Sequence, residues 1–281
     1  MKILLTGASG FLGGHLMQAL TRSGHRVTPV SRRHGLDLAT ACTPRAWAPL
    51  LDGVDVAINA AGILGQTPTQ RFETLHVQAP CALFEACVLA GVGRVVQISA
   101  LGADDGARSG YHRSKRAADR ALLEQPLAGF VLRPSLVHGP GGASARTLRR
   151  LARWPVLPVV GNGLQQVQPV HVDDMVTTVL TCLHAPRLTA PLDVVGPEPM
   201  AWRSWMQRLR AAQGLPPAPV LQVPVPLVHA LMTLGQPFSP LLRVDNLRML
   251  QAGNVADVRP LAAFLGRLPG PADRPDAGFG A

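Results

Sequence analysis

Several things are scarce in this chain, and each shortage removes a class of protein. Aromatic residues make up only 4% of its 281 positions, with a single tyrosine, Tyr111, and the only lysines are Lys2 and Lys115. Cysteine is limited to Cys42, Cys81, Cys87 and Cys182, at irregular spacing and with no CxxC pair or Cys/His zinc pattern. These read as reduced core thiols of a cytoplasmic protein. No apolar run approaches the roughly 18 residues that suggest a membrane span. The longest, Val220 to Leu234, is broken by Pro224 and Pro226. Lys2 followed by Ile3-Leu4-Leu5 is too short for the apolar part of a signal peptide. With 47% hydrophobic residues the composition is that of a globular α/β chain carrying a large core, which excludes disorder and collagen-like repeats.

Negative charge is also short, 17 acidic against 27 basic side chains, so the formal charge is +10. Such a balance permits phosphate, nucleic-acid or anionic-membrane binding without choosing among them. The arginines are scattered. Their densest group, Arg146, Arg149, Arg150 and Arg153, has only Trp154 beside it as a stacking residue, and no nucleic-acid module is spelled. A solvated basic face is the expectation, with no nucleic-acid partner and with peripheral membrane association left open.

What is present is a regular alternation of short apolar runs and helical patterns, the signature of βαβ units in a parallel sheet covered on both faces. Strands are expected at Lys2–Thr6, His25–Val30, Val54–Ile58, Arg94–Ile98 and Phe130–Leu132. Helices are expected from Leu12 to about Ser23, around Phe72–Ala90, and from Tyr111 to Glu124. Beyond Arg133 the pattern loosens. Val156–Val160, Val167–Val170 and Leu192–Val195 suggest short strands around a helix at Val172–Leu183. From Met200 the chain reads as helical, with a proline-rich break at 215–226 and an irregular tail from Arg267. His138, His171, Trp202 and Trp205 read as architectural.

Gly7, Gly10 and Gly13 form a GxxGxxG spacing between the first strand and the first helix. Glycines there allow a tight turn and close approach of a dinucleotide pyrophosphate to the positive helix end. At the end of the second strand, where an acid would accept the ribose hydroxyls of NAD(H), stand Ser31, Arg32 and Arg33. Guanidinium groups match a 2′-phosphate with paired hydrogen bonds, so NADP(H) is favoured over NAD(H). Tyr111 and Lys115 stand four residues apart, on one helix face. An ammonium beside a phenol stabilises its phenolate, which would make the tyrosine a usable acid or base.

Thr6 through Gly13, Asp37-Leu38, Asn59-Ala60-Ala61-Gly62, Tyr111-x-x-x-Lys115, Leu132-Arg133-Pro134 and His171-Val172-Asp173-Asp174 occur in an order that resembles the short-chain dehydrogenase/reductase superfamily. The likeness covers about the first two thirds of the chain. It is similar to the extended or atypical branch, near the NmrA-like proteins and the Rossmann-type accessory subunit of respiratory complex I. The resemblance implies a doubly wound Rossmann sheet over residues 1–160 and a smaller substrate lobe over 161–281, partly interleaved with it. Ser9, Phe11 and Leu12 join the three glycines in the phosphate loop. Asp37 and Leu38 would border the adenine, Ala60, Ala61 and Gly62 would line the cofactor, Lys115 would hold the ribose, and Pro134 would pass near the nicotinamide. Ser99 would polarise a substrate oxygen, although the slot can equally fall on Ala100 or Leu101, and His76 takes a place where relatives often carry asparagine. The implied activity is hydride transfer to or from a carbonyl or alcohol of a small molecule, with a lipophilic one left open. The alternatives are a non-catalytic NADPH-binding protein and a nucleotide-sugar epimerase or dehydratase. No metal is implied, and oligomeric state is left open.

Overall fold

The computed structural model describes residues 1–235, 247, 249–251 and 253–274. Its centre is a six-stranded, wholly parallel sheet in the order β10-β5-β4-β3-β1-β2. The strands are β1 (Lys2–Thr6), β2 (Arg26–Val30), β3 (Val56–Asn59), β4 (Arg94–Ile98), β5 (Ala128–Pro134) and β10 (Leu192–Val194). The edge strand β2 contains Pro29, which an edge tolerates because one side of its backbone needs no partner.

The two faces of the sheet can be read residue by residue, because neighbours along a strand point to opposite sides. Ile3, Leu5, Val56, Ile58, Val96, Ile98, Phe130 and Leu132 form one buried core with α1 (Phe11–Arg22) and α6 (Val172–Cys182). Leu4, Ala57, Val95 and Val131 belong to the other, beneath α2 (Pro44–Trp47), α3 (Ala79–Leu89) and α4 (Gly110–Leu123). A strand buried on both faces has no polar side to alternate with, so these strands appear in sequence as continuous apolar runs.

A third core is separate from these. Ala152, Leu157, Val167, Trp205, Met206, Leu209 and Ala218 pack α5 (Ala143–Ala152) against α7 (Trp202–Ala211) and short strands. Arg210, 8% exposed, holds this lobe together by donating to the carbonyls of Pro216, Ala152 and Trp154. Trp205 is fully buried with its ring edge-on to His138, so both are architectural here. The lobe is interleaved with the sheet in the chain: β10 and α6 lie beyond residue 160 yet complete the central sheet and one of its cores.

Three readings change. The run 167–170 divides between β8 (Gln166–Val167), which pairs with β11 (Met200–Ala201), and β9 (Val170–His171), which pairs with β6 (Val137–His138). The π-helical turn Glu73–Gln78 replaces regular helix ahead of α3. Inside the expected proline break, Val220–Val223 forms β12 and pairs in parallel with β7 (Leu157–Val160). Pro219 and Pro224 bracket that strand without entering it, so it loses no ladder donor. α8 (Val225–Gly235) follows, with Leu227 and Leu231 exposed. Helix is expected across 236–246, 248 and 252, and tail at 275–281; those positions lie outside the described residues.

Past α8, the segment from Arg267 to Arg274 is tied back to α6 at one point. The fully buried Asp174 carboxylate accepts from Arg267 and from the backbone N–H of Gly270, and forms an ion pair with Arg274 at 3.1 Å. His171 caps the same helix by accepting from the Asp173 N–H. Asp174→Ala removes two charge-assisted bonds and an ion pair at once and is expected to lower stability by about 2 kcal/mol. A urea midpoint equal to that of the unmutated protein would show that this carboxylate does not anchor the segment.

Candidate functional site

The chain order places β2 on one side of β1 and β3 on the other, which opens a crevice above the carboxyl end of β1 where parallel α/β sheets bind nucleotides. A cleft of about 390 Å³ lies there, lined among others by Gly7, Ser9, Gly10, Ser31, Arg32, Arg33 and Asp37. Leu38, Ala60, Ala61 and Gly62 line it as well. One cavity therefore gathers the residues that three separate stretches of sequence nominated. An adjoining recess shares Ser9 and Gly10 and adds Phe11 and His15.

The loop requires glycine for steric reasons. Gly7 has φ +67°, and a Cβ on it would stand 2.7 Å from the Ala60 carbonyl oxygen. A Cβ on Gly13 would fall 2.0 Å from the Gly7 oxygen. Helix α1 then begins at Gly10 with no side-chain cap and no acid in its first turn, leaving its N-terminal dipole for an anion. Leu12 does not line the cleft; it packs on the sheet core. Gly13→Ala is expected to lower the melting temperature, overpacking typically costing about 1–3 kcal/mol, and to abolish dinucleotide uptake measured by calorimetry. Unchanged uptake would remove the loop from the site.

At the end of β2, Ser31 is buried and its hydroxyl pairs with His34 Nδ1 at 2.7 Å. Arg32 and Arg33 are exposed at the cleft, and among the described residues neither has an ion-pair partner. Asp37 turns its carboxylate to the Ala39 N–H at 3.0 Å, capping a short helical turn.

Tyr111 and Lys115 lie on α4, whose start is fixed by Ser109 accepting from the His112 N–H. Lys115 is 4% exposed. Its ammonium donates to the Ile98 carbonyl at 2.9 Å and the Ala61 carbonyl at 3.4 Å, joining the ends of β4 and β3 to the helix. A Cβ on Gly62 would lie 3.1 Å from that nitrogen. Burial pulls the Lys115 pKa down to about 8, opposed by Asp119. Tyr111 moves the other way. Burial, reinforced by Asp119, pushes the phenol up to about 12. The Tyr–Lys spacing suggests a lowered phenol; here burial is the largest influence on it and acts the other way.

His76 explains how the tyrosine is held. The Ile63 N–H donates to its Nε2 at 3.0 Å, so the proton sits on Nδ1, which donates to Ser114 Oγ at 2.9 Å. Ser114 in turn donates to the Tyr111 carbonyl at 2.7 Å. Burial first, and Lys115 second, drive the His76 pKa down to about 2, so the imidazole is neutral. Its ring stacks on Phe72 and meets Tyr111 edge-on. The histidine belongs to the π-helical turn, an insertion often found at functional sites.

Ser99 is buried and donates to Asp119 at 2.6 Å, so its proton points to that carboxylate and away from any substrate. Pro134 closes β5 and its carbonyl accepts from the Leu101 N–H, behind the cleft and not in its wall. Asn59 bridges Thr6 and Gln97 in a buried polar row beneath the strand ends. Leu36, Ile63, Gln70 and Leu75 also line the cleft. Of these, Ile63 borders the Asn59–Gly62 motif and Leu36 borders the Asp37-Leu38 pair; Gln70 and Leu75 carried no sequence signal. The α5 arginines are elsewhere, with Arg146 on the Gly141 carbonyl and Arg153 on Gln213. No metal-holding cluster and no helix long and apolar enough to cross a membrane occur among the described residues.

A parallel sheet with a glycine-rich first turn and a tyrosine–lysine helix beside it defines a dinucleotide-binding Rossmann protein. The NAD dependent epimerase/dehydratase family model matches residues 3–195, and the chain belongs to that family, within the extended short-chain dehydrogenase/reductase superfamily. It is 30% identical over 237 residues to a ceramide reductase of Caulobacter vibrioides, covering 80% of this chain and 74% of that one. A 2-alkyl-3-oxoalkanoate reductase of Stenotrophomonas maltophilia is 28% identical over 253 residues, covering 77% of each. Among solved structures, MoeE5 in complex with UDP-glucuronic acid and NAD superposes with TM-score 0.72 at 26% identity, over 96% of this chain and 94% of that one. The protein is thus an NAD(P)-binding oxidoreductase of this family.

Proposed function

We propose that this protein is an NADP(H)-dependent reductase acting on the carbonyl of a lipophilic small molecule. One observation carries the reading: Tyr111 and the buried Lys115 lie on one face of α4, which His76 ties to the cleft-lining Ile63, so a protonated phenol stands beside the cleft and enters a reaction as an acid. An acid beside a dinucleotide cleft serves reduction, where the oxygen must gain a proton as the carbon gains hydride. The cofactor, when bound, supplies the hydride. Tyr111 gives its proton to the nascent alkoxide, and Lys115 anchors the ribose while its carbonyl partners keep the strand ends closed against the helix. Ser99 reaches a substrate oxygen only by leaving Asp119, so the reading gives it a secondary share in polarising that oxygen.

The preference for NADP(H) is supported by Arg32 and Arg33, two uncommitted guanidinium groups at the cleft where the adenosine ribose of a dinucleotide would lie. MoeE5 is seen with NAD, so the proposed preference rests on the present chain's own Arg32 and Arg33. The lipophilic substrate is supported by two relatives whose named substrates are a ceramide and an alkyl oxoalkanoate.

Tyr111→Phe is expected to lower kcat by about 10² to 10⁴-fold, the usual share of a positioned proton donor, while NADPH affinity stays within about twofold. Full turnover in that variant, measured as NADPH oxidation with acyl-chain ketones, would falsify the proton-donor role. The double variant Arg32→Ala/Arg33→Ala is expected to weaken NADPH by about tenfold or more, each lost charge-assisted bond being worth about 1.5–3 kcal/mol, and to leave NADH unchanged. Equal losses for both nucleotides would instead mean that the arginines contact the shared pyrophosphate. A nucleotide-sugar epimerase would be betrayed by NAD retained through purification and by no net oxidation of added cofactor.

A further inference from the structure

We propose that the lobe beyond the sheet is a docking surface for a lipid bilayer with anionic headgroups, its arginines meeting the phosphates and α8 lying in the interface without crossing it. None of the residues involved lines the dinucleotide cleft, so the proposal stands apart from the reductase reading and is tested without cofactor or substrate.

Helix α8 is written almost entirely in apolar residues, Val225-Pro226-Leu227-Val228-His229-Ala230-Leu231-Met232, yet none of residues 225–233 is buried. Leu227 and Leu231 are 51% and 57% exposed and stand four residues apart, on one side of the helix. A short helix draws its stability from burying an apolar face, and this one leaves that face in water. Single exposed leucines are ordinary; here the exposure continues into the neighbouring strands. In the parallel pair β7–β12, Pro158 lies opposite Leu221 and Val160 opposite Val223. Alternate residues share a face, so these four form one outward side on which Leu221 is exposed, while Leu157 and Val159 are buried on the other. Val225, which opens α8, lies against the turn that ends β7, where a Cβ on Gly161 would stand 3.7 Å from its Cγ2. Trp154 and Val156, both exposed, lead into β7.

Charge decides what covers this surface. The stretches 140–172 and 199–235 contain no aspartate or glutamate. They carry Arg146, Arg149, Arg150 and Arg153 on or just after α5, and Arg203, Arg208 and Arg210 on α7. Arg210 donates to backbone carbonyls and Arg208 pairs with Glu198. Among the described residues the other five have no ion-pair partner. Arg146, Arg150 and Arg153 recur at helical spacing, all exposed, and Trp154 follows them directly. A guanidinium binds phosphate through paired hydrogen bonds, and an indole favours the boundary between headgroups and acyl chains. A nucleic acid would engage the arginines but give Leu221, Leu227 and Leu231 nothing to bury against. A second copy of the chain would cover the leucines, but a two-fold contact sets a patch against itself, and this patch has no carboxylate to receive the facing arginines. A bilayer with anionic headgroups meets both features at once.

The test is flotation of the full-length protein with vesicles of phosphatidylcholine, alone or mixed with phosphatidylglycerol. At low salt the protein is expected to float with the mixed vesicles and to stay behind with the neutral ones. At about 1 M salt, where the screening length is about 3 Å, the bound fraction is expected to fall several-fold. Arg150→Gln/Arg153→Gln is expected to weaken partitioning by about fivefold for each charge removed. Leu227→Gln/Leu231→Gln keeps every charge and is expected to weaken it about tenfold or more. Both pairs change exposed side chains, so melting is expected to be unaltered. Should either variant fail to fold, the dependence of the unmutated protein on lipid charge and salt decides.

Absence of flotation with the mixed vesicles at low salt overturns the proposal, as does equal flotation with the neutral ones. Flotation indifferent to the leucine pair also overturns it, since charge attraction alone would then explain the binding. A dimer that Leu227→Gln/Leu231→Gln dissociates would show a second copy covering the leucines, and so refute the bilayer. An oligonucleotide duplex bound as tightly as the mixed vesicles, with no effect of the leucine pair, would assign the arginines to nucleic acid and refute it too.

Discussion

The site depends on an ammonium group that is almost wholly buried. Lys115 donates to the carbonyl of Ile98, the last residue of β4, and to that of Ala61, two residues past the end of β3. A buried cation that ties two strand ends to one helix sets the distance from the sheet to Tyr111, one turn earlier on that helix. It also leaves little room at position 62, where a Cβ would stand 3.1 Å from the lysine nitrogen and 3.4 Å from His76 Nε2. The motif Asn59–Gly62 and the motif Tyr111-x-x-x-Lys115, far apart in the chain, are therefore two halves of one contact.

The second fastening is neutral. His76 accepts on one nitrogen and donates on the other, so the loop at Ile63 and the first turn of α4 are joined by a relay with one allowed proton arrangement. An imidazolium would have no acceptor for its second proton at Nε2, where a backbone N–H already points, and would stand near a lysine. Burial and that ammonium act in the same direction, which is why the ring stays uncharged. An asparagine can also accept and donate, which fits the exchange of one residue type for the other that the family resemblance suggests at this place.

Much of the fold was legible because buried parallel strands have an unmistakable pattern. Every strand of the first five falls within two residues of its place in the sequence reading, and the glycine loop, the arginines after β2 and the Asn59–Gly62 turn meet in one cleft. What escaped has physical causes. Gln70 and Leu75 reach the cleft from a loop and a π-helical turn, and neither has a periodicity to betray it. The strand Val220–Val223 was hidden by the prolines that flank it. Ser99 carries a hydroxyl at the expected place, but only geometry reveals that Asp119 takes its proton. Spacing also pointed to a lowered tyrosine, whereas burial is the largest influence on it and acts the other way.

The lobe beyond the sheet has its own core, in which Trp205, Met206 and Leu209 pack against Leu157 and Val167. Its strands are two to four residues long and pair with one another instead of with the central sheet. Arg210 spans it by donating to three backbone carbonyls, a rigid guanidinium taking the place of longer ladders. Residues in such a lobe can change without disturbing the register of β1 to β5, on which the glycine loop and the lysine contact rest. The cofactor half of the site is thus set by backbone packing that tolerates few substitutions. The lobe is built from short elements whose pairing does not enter that sheet, so the packing that forms the crevice and the packing that forms the lobe are separate constraints on the sequence.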